Sequence, residues 1–283
     1  MEKKKSKFRK ALTVINSNAQ LKIGLICLAI LLFIAFFGPL FAPYNPYRLN
    51  DDTLMAPCKQ YPLGTDNLGH DILSQILYGA STSLKIGFIA AMISAVIGVT
   101  IGGLAGFYGG KLDQFLNELM NIFLMLPDFF LILMIIATFG SSMMHVMIVI
   151  GLTSWVGNAR LMRAQAKAIK ERTFIQSSFA MGESKFSILI HHVLPNGIFP
   201  IIANTTMNIS GAILTESGLS FLGLGDPNVI SWGQIITAGK AYLPKCWWIC
   251  TFPGLMTIFT VLTFFMIGEG INRVLSPKMD ANK

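Results

Sequence analysis

Long stretches of apolar side chains separated by short polar clusters form the first pattern along the chain. Uncharged runs cover residues 23–40, 86–107, 129–144 and 247–268. Several approach the roughly 20 residues that a helix needs to cross about 30 Å of hydrocarbon. Together with two shorter apolar segments they predict transmembrane helices at about 22–41, 84–107, 115–139, 143–158, 197–216 and 248–270. The chain therefore reads as an all-α polytopic membrane protein with six spans. The predicted division is a basic N-terminus and first helix (1–41), an outer loop (42–83), a five-helix core (84–272) that contains a polar loop at 159–196, and a short tail (273–283). Composition agrees, since only 13% of the 283 residues are charged, about half the share in an ordinary soluble domain. The first run ends in Gly38-Pro39 and Ala42-Pro43, not in a small-residue cleavage site, so it is read as a retained span and not as a signal peptide.

Charge orients these spans. Of the 22 Lys and Arg, seventeen fall in the N-terminal segment, the 108–114 turn, the 159–196 loop and the C-terminal tail, against four in the alternate loops. Basic residues collect on the cytoplasmic side, which predicts both termini and the 159–196 loop there. The net charge of +8 is thus mainly a topology signal, and its division among separate segments argues against nucleic-acid binding. Four cysteines form no C-x-x-C and no dense framework; Cys58 and Cys246, both predicted outside, are the pair within reach of a bridge, and four ordinary thiols is the favoured reading.

Some spans carry residues that lipid does not favour. Gly87, Gly98, Gly102, Gly103 and Gly106 in the second span allow close helix contact, which predicts a place inside a bundle. Asn204, Thr205 and Asn208 in the fifth span face either a solute path or other helices. Asp128, after Pro127 in the third span, lines the solute path, binds a cationic group, or caps a helix that restarts after the proline. Glu216, at the outer end of the fifth span, carries the same two readings.

The stretch 174–196, FIQSSFAMGESKFSILIHHVLPN, is too polar to span. Ile175, Phe179, Gly182, Phe186, Leu189 and Val193 recur at intervals of three and four, one apolar stripe on a helix. Gly182 predicts a turn between two short helices, and Leu194-Pro195 predicts the stop of the second. Such a pair suits a membrane surface, the chain's own bundle or a partner's groove.

The same stretch resembles the EAA loop of ABC-transporter permeases, with Gln176-Ser177-Ser178 at the opening triplet, Gly182 at the glycine, His192 at the isoleucine and Leu194-Pro195 closing the motif. PLGTDNLGHDILSQILYGASTSLKIG (62–87) and SFLGLGDPNVISWGQII (220–236) resemble signature segments of the dipeptide, oligopeptide and nickel permeases, C-type subunit, with His70 and Gln75 in place of two arginines. The resemblance runs in order over nearly the whole chain. It implies a type I importer-like fold in a prokaryotic inner membrane, import of peptides, nickel or metal chelates, and no cofactor on this chain. It also implies a second homologous permease, two cytoplasmic ATP-binding subunits and an extracytoplasmic solute-binding protein as partners. ATPase contact is implied for Phe174, Gln176, Phe179, Gly182, Glu183, Phe186, Leu189, Leu194 and Pro195.

No nucleotide site is read on this chain itself. In AGFYGGKL, Ala105 stands where a phosphate-binding loop needs its first glycine and Leu112 where it needs Ser or Thr. Asp66, His70 and Asp71 match no closed metal site. A self-contained channel or secondary transporter would function without partners, and an intramembrane enzyme would need a catalytic motif such as H-E-x-x-H or G-x-S-x-G, neither of which occurs.

Overall fold

A computed structural model describes residues 18–275, which fold as helices joined by loops, with one isolated bridge between Thr65 and Asp71. Four helical stretches are long and apolar enough to cross a membrane: α1 (Ala19–Phe41), α2 (Ile72–Tyr108), the continuous run Lys185–Phe221, and α11 (Trp248–Leu275). A fifth arises if α3 (Gly110–Met125) and α4 (Asp128–Phe139) count as one broken span, bent by 81°. The fourth predicted span, 143–158, is divided between α5 (Met143–Thr153) and the start of α6 (Trp155–Lys170), and neither helix is long and apolar enough alone. By length and apolarity the described residues thus give four spans, or five with the broken one.

Helix ends depart from hydropathy for identifiable reasons. α2 starts at Ile72, twelve residues before the predicted span, because Asp71 accepts from the amide and hydroxyl of Ser74 (2.8 and 2.6 Å) and caps it. At 37 residues it is about 55 Å long, far more than the bilayer core. Its first turns carry the outer loop. Trp232 donates from Nε1 to the Ile76 carbonyl and from its amide to Ser83, while Trp248 donates to the Thr65 carbonyl. Asp66 accepts from the amides of Leu68 and His70 and holds the His70 ring at 2.8 Å. The 62–87 signature thus builds a corner of the fold. All four cysteines are free thiols, so Cys58 and Cys246 are not bridged.

The predicted glycine contact is present. A Cβ at Gly98 would lie 2.5 Å from that of Asn158, and one at Gly102 or Gly106 would collide with the carbonyl oxygens of Ala159 or Arg163. α2 therefore meets α6 backbone to backbone. A hydrogen-bonded chain runs through the same layer: Ser94 donates to the Ser154 carbonyl at 2.9 Å, Asn158 to Ser94 at 3.2 Å, and Asn204 to Asn158 at 2.9 Å. It joins α2, α6 and α9 (Leu194–Phe221).

Candidate functional site

The 159–196 segment starts on α6 and turns back through α7 (Thr173–Ala180), α8 (Lys185–Ile188) and a π-helical turn, Leu189–Val193, into α9. Gly182 sits at φ +81, where a side chain would be strained, and makes the predicted turn. Ser184 caps α8 by accepting from the Ser187 amide. Leu194-Pro195 does not stop the helix, contrary to expectation. The Leu194 amide bonds to Leu189 across the wider π turn, and Asn196 donates from its side chain to the His192 carbonyl at 2.6 Å. The extra residue in that turn makes room for the proline ring, and the asparagine covers a carbonyl in a turn short of donors.

Most of the apolar stripe points inward, all but Gly182 and Phe186. Ile175, Ile188, Leu189 and Val193 are buried against Phe107, Met162, Ala166 and Ile169, and Phe179 stacks on Phe107 with ring centroids 6.1 Å apart. Phe179 and Leu189, expected at a partner contact, thus belong to this chain's own core, and Leu194 packs beside them. The outward face carries other residues. Phe174 is 43% exposed, Phe186 65% and Met181 78%, with Gln176 and Ser177 between them. Met181 was not picked out from the sequence because it lies off the stripe; its place beside the turn glycine was the available signal.

Glu183 braces the turn, its two oxygens meeting the Ser187 hydroxyl at 2.7 Å and His192 Nε2 at 3.1 Å. The Ser187 hydroxyl first, and the His192 ring with it, hold this carboxyl below its ordinary value. Gln176 donates to the Lys170 carbonyl at 2.9 Å, closing the bend between α6 and α7. At its base α6 is tied to α3: Arg163 grips Asp113 with two nitrogens (2.5 and 2.9 Å) and Lys167 adds a third contact at 2.7 Å. That pair spans fifty residues of sequence, and no local pattern announces it.

The residues proposed for a solute path separate. Asn204 and Thr205 bond to Asn158 (2.9 and 3.5 Å) and Glu216 is buried, accepting from Ser220 and Ser231 (2.8 and 2.7 Å), so these three hold helices together. Asn208 is half-buried on α9. Asp128 opens α4 without a side-chain cap bond, which corrects the capping reading, and it is exposed.

Comparison with known families decides the identity. The model of the binding-protein-dependent transport system inner membrane component matches residues 98–281. This chain belongs to that family. The N-terminal transmembrane domain of oligopeptide transport permease C matches residues 17–62. The dipeptide transport system permease protein DppC of Alkalihalophilus pseudofirmus is 34% identical over 276 residues, covering 97% of this chain and 91% of the relative. The oligopeptide transport system permease protein OppC of Bacillus subtilis is 30% identical, covering 98% and 92%. Among solved structures, the inward-facing MetNI methionine ABC transporter matches with a TM-score of 0.54 at 20% identity, over 71% of this chain and 96% of that one. The permease is thus a multi-pass inner-membrane subunit of an ABC importer with a type I fold.

Proposed function

We propose that this permease carries peptides across the inner membrane together with a second homologous permease, powered by two cytoplasmic ATPases and fed by an extracytoplasmic solute-binding protein. The relatives named for dipeptide and oligopeptide transport favour peptide over nickel or a metal chelate. The observation that carries the coupling reading is the exposure of Phe174, Met181 and Phe186 on a loop whose inner face packs on its own bundle. Exposed apolar side chains grouped on so short a segment fit a groove on a partner protein. In this reading Phe174, Met181 and Phe186 enter the ATPase, Gln176, Gly182 and Glu183 rim the contact, and Phe179, Leu189, Leu194 and Pro195 hold the loop from behind.

The test is co-purification with the ATPases alongside ATP-dependent uptake. Met181→Asp and Phe186→Asp are expected to release the ATPase from a normally folded permease. Phe179→Asp is expected to unfold the loop instead, reducing the amount of permease recovered. Retention of the ATPase by both outward variants would sink the proposal.

A further inference from the structure

Leu126 and Pro127 interrupt the third predicted span, and the two helices on either side meet at 81°. Irregular backbone at membrane depth survives only where protein buries it or where it lines a water-filled cavity. Here the chain does not bury it: Leu126 is 49% and Phe130 68% exposed, and Pro127 and Asp128 are exposed with them. Asp128 forms no ion pair with any described residue. No Lys or Arg occurs between Lys111 and Arg160 that would neutralise it. A carboxylate turned to lipid costs several kcal/mol, so this face of α3 and α4 meets water or a partner chain in the assembled importer.

We infer that Asp128 receives the cationic end of the solute, the protonated amino terminus of a peptide, as it passes the break between α3 and α4; this rests on the peptide-importer reading. Asp128 is the first residue of α4, beside the free amides of its first turn. Beside it the last carbonyls of α3 project from a helix end, with only the Leu126 amide bonded back, to Phe123. A carboxylate with carbonyl oxygens nearby offers acceptors, matching the three donors of an ammonium group. Phe129 rests against Gly218, which puts the break beside α9.

The experiment uses the complete importer in proteoliposomes: this permease, its partner permease, the ATPases and the binding protein. Asp128→Asn is expected to cut peptide uptake at least ten-fold with ATPase co-purification unchanged, and Asp128→Glu to keep most of it. Asp128→Cys is then treated with an anionic (ethylsulfonate) or a cationic (ethyltrimethylammonium) methanethiosulfonate, with treated wild type as the control for the native cysteines. Restoration by the anionic reagent alone supports the inference. Equal uptake by Asp128→Asn and wild type overturns it, as does restoration by both reagents. So does loss of the partner permease on purifying Asp128→Asn, which would make Asp128 an interface residue. Failure of the wild-type chain to bind an ATPase would instead overturn the importer reading, whatever stands at position 128.

Discussion

Leu126-Pro127 and Leu194-Pro195 are the same dipeptide inside apolar helices, yet the first bends its span by 81° and the second lies in one unbroken run. Their neighbours explain the difference. Leu194 packs among Phe107, Leu189 and Val193, and the next side chain but one, Asn196, donates to a nearby carbonyl. Leu126 is half exposed, and Asp128, in the place that corresponds to Asn196, has no donor to offer when ionised. A proline leaves carbonyls unpaired in both places, and the local chemistry decides whether the helix closes over them or opens.

The contrast can be broken by substitution. Leu189→Ala, beneath the π turn, is expected to destabilise the solubilised permease by about 2–4 kcal/mol, whereas Leu126→Ala should stay within about 0.5 kcal/mol; equal shifts in thermal midpoint would mean that the two sites are packed alike. Asn196→Asp removes the donor to His192 and is expected to cost about 1–2 kcal/mol. If that variant melts like wild type, the side-chain donor does not explain why the helix continues. The smallest effect is at Glu183. Its carboxyl is depressed in the folded state, so the stabilisation it gives is complete above the ordinary carboxylate range and is lost as pH falls through the lower folded value. Melting followed from neutral to acid pH should therefore lose slightly more in wild type than in Glu183→Gln, and identical pH profiles would dismiss the brace.

Much of the fold was legible because its signals are local. Apolar runs marked the membrane helices, the glycine series marked the α2 contact with α6, and Gly182 marked the turn. Two kinds of feature were not. Periodicity shows that a helix has an apolar face but not what covers it, so Phe179 and Leu189 were expected at a partner contact when they pack with this chain's own Phe107 and Met162. Distant pairing is silent in one sequence as well: Arg163 with Asp113, and Asn158 with Ser94 and Asn204, are contacts between residues 46 to 64 positions apart. For that reason the polar residues of the fifth span stayed open between a solute path and other helices, until Asn204, Thr205 and Glu216 were seen to hold the bundle together.

The glycine seam between α2 and α6 sets how a push at one end reaches the other. With backbones touching at Gly98, Gly102 and Gly106 there is no side-chain layer to shear, and the Ser94–Asn158–Asn204 chain pins α9 to the same block. The 159–196 loop, which starts on α6, is thus joined to α2 and α9 with little slack, whereas α3 and α4 part at the block's edge.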